Sequence, residues 1–325
     1  MSFDKINVGV IGTGNHGSRY VKHIVNDLKK QFYLQGISRS SSDKGIAQAR
    51  EFNTEFFPNF TELIASPTID AVISVTPPYL NKQIADTCLS HNKKLLLEKP
   101  LATTMEDAQH IVDTFKESKL ALTIGQTLRY NNVIQTLKKE FVRIGVPHAF
   151  SATHRLEPSS IPWLTDPKQA GAGVIFHTAV HLFDALRYIT GLEVKRVHAS
   201  SFKLYNPNLE DLVTAQIEMD NGMVGIIESS KVTPARSARY EFTGSLGQLQ
   251  GDQIHGFVQF LRGMGTTEIY RGPSSPAILP LLRDWHLFLT GKGDNPISGE
   301  DGLAAVKICD ACRKSAKLQQ WVTMA

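Results

Sequence analysis

Two histidines four residues apart are the first feature of this sequence that could do chemistry. The segment GAGVIFHTAVHLFDAL (171–186) carries His177 and His181 in a stretch that predicts the start of a helix. Residues four apart lie on one helical face, so both imidazoles could address the same spot. Metal ligands, a catalytic pair and buried structural histidines are the three roles open to them. A metal would need a third ligand, and the flanking sequence offers no obvious carboxylate except Asp184.

A glycine-rich loop near the N-terminus predicts a nucleotide site. GTGNHG (12–17) fits the pattern G-x-G-x-x-G and lies between a strand-like run, INVGVIG, and a segment with helical spacing. In that context Gly12 allows a tight turn, Gly14 lets the backbone approach a pyrophosphate, and Gly17 permits close helix packing. The helix N-terminus supplies N–H donors for the phosphates. We therefore predict a dinucleotide site rather than a glycine turn without a ligand, and we assign the loop's other residues to it: Thr13, Asn15 and His16.

The residues after the second predicted strand bear on the choice of cofactor. GISRSSSDK places Ser38, Arg39 and Ser40 where a carboxylate would bind the adenosine ribose, and no acid occurs before Asp43. A guanidinium group with neighbouring hydroxyls suits a phosphate. The pattern favours NADP(H). If Arg39 is instead a solvated surface residue, NAD(H) is the cofactor.

The first 125 residues alternate between strand-like and helix-like periods. Such alternation predicts a parallel sheet with helices on both faces, the doubly wound α/β fold. Thr103 or Thr104 is the expected N-cap of the helix that begins at MEDAQH. The predicted strands cover residues 6–12, 33–39, 71–78, 94–100 and 121–126.

From about residue 147 onward the sequence is richer in β-type runs. DNG between two alternating runs predicts a hairpin, and successive hairpins predict an antiparallel sheet. Helices near 173–190 and 300–318 could cover one face of that sheet, and RGPSSPAILP (271–280) predicts a surface loop. We therefore predict two domains, residues 1–125 for the dinucleotide and 126–325 for substrate and oligomerisation. The C-terminal helix could pack back on the first domain.

Composition narrows the class of protein. The chain is 42% hydrophobic and 20% charged with a net charge of +4 and no Lys/Arg block, so nothing favours a nucleic-acid partner. No apolar run reaches the roughly 18 residues of a membrane span, and the N-terminus shows no signal-peptide pattern. Cys88, Cys309 and Cys312 form no disulfide framework, and the last two are predicted to be inert helix residues rather than a redox or zinc site. We expect a cytoplasmic protein.

KLLLEKPLATTMEDA, taken with the glycine loop, resembles the Gfo/Idh/MocA oxidoreductase family, which includes glucose–fructose oxidoreductase, inositol dehydrogenases and dihydrodiol dehydrogenases. The resemblance implies an N-terminal Rossmann domain, a C-terminal α+β domain on an open, largely antiparallel sheet, and a homo-oligomer (dimer or tetramer). Its landmarks follow in order along nearly the whole chain: GTGNHG, TPPYLN (76–81), EKP (98–100), IGQTLRY (124–130), PWLTDP (162–167) and GAGVIFHTAVH.

The resemblance also assigns site residues. It implies that Lys99 points towards the reacting oxygen of the substrate, with a bond to Pro100 that is often cis; an ordinary strand-end lysine is the alternative. His181 falls on the family histidine, whereas His177 stands where relatives carry Asp, and Leu164 stands where many carry Arg. The resemblance implies no metal. Further residues implied for the cofactor are Thr76, Pro77, Asn81, Glu98 and Gln126, and for the substrate Trp163, Arg129 and His154.

Chemistry and resemblance together predict an NADP(H)-dependent oxidoreductase. A histidine titrates near neutral pH, so His181 is the favoured acid/base, with Lys99 polarising the same oxygen. His177 could orient the substrate or share the proton. The predicted substrate is a sugar, cyclitol or related cyclic alcohol or ketone. The alternatives are a dihydrodiol-type or other non-sugar reductase, and a dinucleotide-sensing regulatory protein without turnover.

Overall fold

The computed structural model describes residues 5–273 and 276–324. Within these ranges the chain divides into two compact units, the first formed by residues 5–126 and 278–303 and the second by residues 127–277 and 304–324. The predicted boundary puts residues 278–303 in the second domain. They pack in the first unit because the ring of Trp285 stacks on Phe32 at 5.7 Å, and because the Asn295 side chain bonds to Thr123 Oγ1 at 2.8 Å.

A parallel sheet of six strands forms the centre of the first unit, in the order β3-β2-β1-β4-β5-β6. Every pairing in it is parallel, and the middle strands are buried on both faces. The predicted doubly wound fold is therefore confirmed. The strands are β1 Ile6–Ile11, β2 Phe32–Ser38, β3 Glu55–Phe57, β4 Ala71–Ser74, β5 Lys94–Glu98 and β6 Leu122–Gly125.

Five helices follow these strands. Thr104 is the N-cap of the fifth, accepting from Asp107 N at 3.1 Å, which settles the choice between Thr103 and Thr104. The third helix and β3 were not predicted, since six and three residues show little periodicity. The helices are α1 Gly17–Lys22, continued by a π-helical turn His23–Asp27, α2 Ser42–Phe52, α3 Phe60–Ala65, α4 Asn81–Ser90 and α5 Met105–Ser118.

The second unit is built on an open sheet of nine strands, in the order β14-β13-β12-β11-β7-β10-β9-β8-β15. β7 and β10 run parallel, and the other pairings are antiparallel, which confirms the largely antiparallel sheet. The predicted hairpin joins β9 to β10, with Gly222 at a φ of 88° in the turn. The strands are β7 Pro147–Arg155, β8 Val194–Phe202, β9 Leu212–Met219, β10 Val224–Ser230, β11 Ser237–Gly244, β12 Gly247–Asp252, β13 Phe257–Arg262, β14 Gly265–Arg271 and β15 Val322–Thr323.

Two helices, α6 (Asn132–Glu140) and α8 (Val180–Thr190), pack on this sheet. The helices predicted near 173–190 and 300–318 are present. The loop expected at 271–280 contains residues 274–275, which lie outside the described residues, and an unpredicted helix, α9, begins at Ile278. The remaining helices are α6 Asn132–Glu140, α7 Pro167–Ala170, a π-helical turn Ile175–Ala179 that leads into α8 Val180–Thr190, α9 Ile278–Leu289 and α10 Gly299–Leu318; 3₁₀ turns cover Pro78–Leu80, Thr127–Tyr130, Phe141–Ile144 and Pro162–Thr165.

The three cysteines are buried and free. Burial raises the pKa of Cys309 well above its ordinary value and that of Cys312 to about 12, so neither is a ready nucleophile. The Cys309 thiol donates to Ile175 O at 3.3 Å. Both cysteines of the C-x-x-C therefore act as packing residues. In the described ranges no helix is long and apolar enough to cross a membrane.

Candidate functional site

The glycine loop is tightly turned and open on one side. A Cβ on Gly12, whose φ is 84°, would lie 2.2 Å from Val75 O, and one on Gly17 would lie 2.2 Å from Gly12 O. Both positions therefore need glycine for the turn itself. A Cβ on Gly14 would meet nothing within 4 Å, so this side of the loop is open for a ligand to reach the backbone. The loop fits a dinucleotide phosphate at the start of α1.

Arg39 is fixed on the glycine loop by a hydrogen-bond network. Its Nη1 donates to Thr13 O at 3.2 Å and to Gln48 Oε1 at 3.0 Å, and the Thr13 hydroxyl donates to the same Gln48 oxygen at 2.8 Å. Gln48 Nε2 in turn donates to Ser18 Oγ at 2.8 Å. The guanidinium is therefore not a loosely solvated group. Gln48 was missed because no motif marks a glutamine in the middle of α2.

The flanking serines differ in exposure. Ser38 is buried at the end of β2, where its carbonyl accepts from Gly12 N at 2.8 Å. Ser40 is exposed beside Arg39. Of the two, only the Ser40 side chain is accessible to a ligand from solvent.

Glu98, at the end of β5, is buried and accepts from three groups. His16 Nε2 lies 2.9 Å from its Oε1, the Tyr20 hydroxyl donates to Oε1 at 2.5 Å, and the Lys99 amide donates to Oε2 at 3.0 Å. Burial opposes ionisation, but the bond to His16 and the other contacts outweigh it, so the pKa of Glu98 is lowered. A Cβ on Gly125 would come within 3.0 Å of the carboxyl carbon. The Glu98 carboxylate therefore bonds to groups of the protein itself, and its contact with His16 connects the glycine loop to β5.

Tyr20 was missed by sequence reasoning, although its position gave a signal. It follows His16 by four residues at the start of a helix, and such residues share a face. The two rings meet edge to face at 5.7 Å. Burial raises the pKa of Tyr20 well above its ordinary value, and the neighbouring Glu98 carboxylate raises it further.

Lys99 stands at the turn after β5. Its bond to Pro100 is cis, as the resemblance implies. Burial lowers the pKa of Lys99, and the neighbouring Glu98 carboxylate opposes that shift. The turn is braced by Asn81, whose amide donates to Pro100 O at 3.0 Å and to Leu101 O at 3.2 Å. Asn81 was assigned to the cofactor, but its amide donors serve the backbone of this turn.

The remaining residues assigned to the cofactor lie after β4 and β6. Thr76 and Pro77 are half-buried beyond the end of β4, and the Thr76 hydroxyl lies 3.1 Å from Ser74 Oγ. Gln126 is buried just beyond β6. They occupy the carboxyl ends of parallel strands, where ligands bind in such sheets.

In the second unit, His177 and His181 have different neighbours. His177 lies in the π-helical turn and His181 in the first turn of α8. His177 Nε2 lies 3.0 Å from Ala170 O, and its ring meets Trp163 edge to face at 5.6 Å. The ring of His181 lies 6.2 Å from that of His154. The described contacts of the two rings therefore involve different segments, the residues around Ala170 and Trp163 for His177 and strand β7 for His181.

Arg129 forms a buried ion pair with Asp184. Its Nη2 lies 2.6 Å and its Nε 3.0 Å from the two carboxylate oxygens. Arg129 is predicted to bind substrate. In the structure its guanidinium forms an ion pair with the Asp184 carboxylate inside the same unit. The pair also engages Asp184, the carboxylate considered as a third metal ligand. Within residues 5–273 and 276–324, no group of three or more His, Cys, Asp or Glu side chains is arranged to hold a metal.

Glu210 is a site residue that the sequence did not reveal. Its Oε1 accepts from Gly173 N at 3.0 Å and from Ile175 N at 3.4 Å, so it caps the helical segment that carries His177. Burial raises the pKa of Glu210, although the hydrogen bonds from these backbone amides act to lower it. A Cβ on Gly173 would lie 2.2 Å from Glu210 O, which explains the glycine of GAGVIF.

A parallel doubly wound sheet whose first strand leads into an open glycine loop is the architecture of a dinucleotide-binding domain. The chain belongs to the Gfo/Idh/MocA family. Residues 6–126 match the model described as the oxidoreductase family with an NAD-binding Rossmann fold, and residues 140–250 match the GFO/IDH/MocA C-terminal domain.

The relatives include several oxidoreductases. Myo-inositol 2-dehydrogenase of Thermotoga maritima is 25% identical over 98% of each chain. The 1,5-anhydro-D-fructose reductase of Ensifer adhaerens is 27% identical over 86% of this chain and 88% of its own. The structure of levoglucosan dehydrogenase with NADH and levoglucosan superposes with a TM-score of 0.89 at 23% identity, covering 99% of this chain and 100% of that one. This last likeness shows the shared fold.

Proposed function

We propose that the protein transfers a hydride between NADP(H) and a carbon bearing a hydroxyl or carbonyl group on a sugar, cyclitol or related cyclic compound. One observation carries the proposal. The open side of Gly14, after β1, and the Glu98–Lys99 turn, after β5, lie at the carboxyl ends of strands in one parallel sheet. The names of the relatives, which act on inositol and anhydrofructose, support the substrate class.

The preference for NADP(H) rests on Arg39. Its guanidinium is fixed beside the glycine loop, the Ser40 hydroxyl is exposed next to it, and no acid occurs between β2 and Asp43. A planar cation with a hydroxyl suits a 2′-phosphate, and no carboxylate repels it. NAD(H) is the competing cofactor. Direct titration with both decides between them.

Lys99 and His181 are the proposed proton-handling residues. The cofactor, when bound, supplies or accepts the hydride. Reduction of a ketone leaves an alkoxide, for which His181 as imidazolium is the proposed proton donor and Lys99 a proposed hydrogen-bond donor. In the oxidative direction neutral His181 takes the proton back. We propose His154, whose ring neighbours His181, and Trp163 as substrate contacts. For His177, whose ring meets that of Trp163 edge to face, we propose a role in orienting the segment that carries Trp163.

We further propose that the protein forms a homo-oligomer through the outer face of the second sheet. Val224 and Ile226 of β10 point outwards there, with 51% and 57% of their surface exposed. Light scattering coupled to gel filtration measures the mass. A monomeric mass for the wild type rejects this proposal, and Ile226→Glu is expected to reduce an oligomer to smaller species.

The experiment that tests the proposed function is an NADP(H)-coupled screen of sugars, cyclitols and their keto forms, with dihydrodiols as the non-sugar comparison. Turnover of at least one sugar, cyclitol or keto form is expected. Turnover of a dihydrodiol alone would assign the non-sugar alternative. Tight NADPH binding without turnover of any carbonyl or alcohol would reject the enzyme and indicate a dinucleotide-sensing protein.

A further inference from the structure

The second unit contains a cavity of about 450 Å³, within the size range of small-molecule sites. Its walls come from separate parts of the chain. They are the turn at Leu164 and Thr165, the helix start from Gly173 to His177, the connection between β8 and β9, and Lys231 beyond β10. The roles assigned above do not use most of it.

The connection between β8 and β9 is held in a defined shape. The Asp211 carboxylate accepts from the amides of Leu204, Tyr205 and Asn206 at 2.9, 2.7 and 2.8 Å. The Lys231 amide donates to Asp211 O at 2.8 Å, which ties the connection to the end of β10. Glu210 ties it to the helix start through Gly173 N. The cavity wall is therefore preorganised, which lowers the cost of binding a ligand.

The side chains that line the cavity can form hydrogen bonds with the hydroxyl groups of a ligand. Hydroxyls and carboxamides predominate among the polar ones, and Tyr205 offers an exposed aromatic ring. Two carboxylates, Glu210 and Asp211, stand against one ammonium group, Lys231, so the cavity does not favour a strongly anionic ligand. The hydroxyl and carboxamide side chains are those of Ser159, Thr165, Tyr205, Asn206 and Asn208.

We propose that this cavity is a glycosyl subsite. It binds a neutral second sugar ring attached to the ring that is oxidised or reduced, so within the substrate class proposed above the preferred substrate is a glycoside. His177 lines the cavity four residues before His181, the proposed acid/base, so the subsite adjoins the segment that handles the proton. The proposal rests on the function proposed above for its reacting ring.

The test measures binding and turnover separately. Calorimetry on the full chain compares cellobiose, maltose, lactose and trehalose with glucose and galactose, and the same panel is assayed for NADP(H)-coupled turnover. Asn208→Trp fills the cavity. Lys203→Trp places the same ring on the same connection outside the cavity and is the matched control.

At least one disaccharide is expected to bind ten times more tightly than its monosaccharide. Asn208→Trp removes that gain, and Lys203→Trp retains it. Disaccharides that bind no better than monosaccharides, or a gain that survives Asn208→Trp, overturn the subsite. If UDP-glucose binds more tightly than every disaccharide, and binds more weakly to the Lys231→Met variant, the cavity prefers an anionic ligand. That result overturns the proposal of a neutral second ring. Absence of turnover alone counts against the proposed function, because calorimetric binding needs no turnover.

Discussion

His16 Nε2 lies 2.9 Å from Glu98 Oε1, which joins an exposed residue of the glycine loop to a buried carboxylate at the end of β5. The Tyr20 hydroxyl donates to the same oxygen. Because Glu98 also accepts from the Lys99 amide, one carboxylate holds the loop assigned to the cofactor and the turn that carries the proposed cation. These contacts are made mainly to ionised Glu98, so they depend on pH.

Glu98→Gln is expected to destabilise the protein by about 2 kcal/mol at pH 7 and by less at pH 4, because hydrogen bonds to a buried charge are lost. The folded-state pKa of Glu98 lies below its unfolded value. Its contribution is therefore present above the unfolded pKa, about 4.3, and is lost as pH falls through the folded value. Urea unfolding at both pH values measures this. An equal difference at pH 7 and pH 4 contradicts the assignment, and Glu51→Gln, on the exposed side of α2, is the control.

Gly14→Ala is expected to weaken cofactor binding at least tenfold, about 1.4 kcal/mol, with little change in melting temperature. The added methyl group meets no protein atom within 4 Å but occupies the side open to the pyrophosphate. Gly12→Ala, by contrast, collides with Val75 O and should destabilise the fold. Fluorescence titration with NADPH and thermal melting separate the two effects. Gly265→Ala, in β14, is the control, and unchanged NADPH affinity in Gly14→Ala would remove the loop from the cofactor site.

Arg39→Ala is expected to weaken NADPH binding by about 10–100-fold and to leave NADH affinity unchanged, since only the 2′-phosphate loses a charged partner. Gln48→Ala should weaken NADPH less, because it releases the guanidinium without removing it. Competitive titration with both cofactors measures the ratio. Arg50→Ala, exposed in the last turn of α2, is the charge-matched control. Equal affinity of the wild type for NADH and NADPH would reject the preference.

The fold could be predicted where one local pattern dictates one structure. Alternating apolar strands and helices gave the parallel sheet, and DNG gave the hairpin between β9 and β10. Short elements such as β3 carry too little periodicity to be predicted. α9 was missed because RGPSSPAILP is rich in proline and serine, although the helix begins within it, at Ile278.

Only those site residues that belong to a recognisable local motif could be predicted from the sequence. The glycine loop and the EKP turn are local signals, whereas Gln48, Tyr20 and Glu210 act through contacts with distant segments. The partner of Arg129 is Asp184, 55 positions away, and no pattern in either stretch announces that pair. The π-helical turn before α8 could not be predicted either, because the spacing of its residues also fits an α-helix.

Lys99→Met and His181→Ala are each expected to lower kcat/KM by about 10²–10⁴-fold, the usual contribution of a positioned acid or base. Cofactor affinity should stay within about twofold, since neither change alters the glycine loop. Steady-state kinetics on a substrate found in the screen, with NADPH titration of each variant, measures both quantities. His148→Ala, exposed on β7, is the histidine control. Near-normal rates in either variant would reject its proton-handling role.

His177→Leu is expected to destabilise the second unit by about 1 kcal/mol, because the hydrogen bond to Ala170 O is lost. His177→Gln carries an amide that can donate to the same carbonyl, so it should recover most of that stability. Thermal melting measures the loss, and limited proteolysis reports whether the segment around Trp163 opens. If both variants lower kcat by the same large factor without changing stability, His177 acts in the chemistry itself. A loss confined to His177→Leu, in stability and KM, identifies it as the residue that positions Trp163.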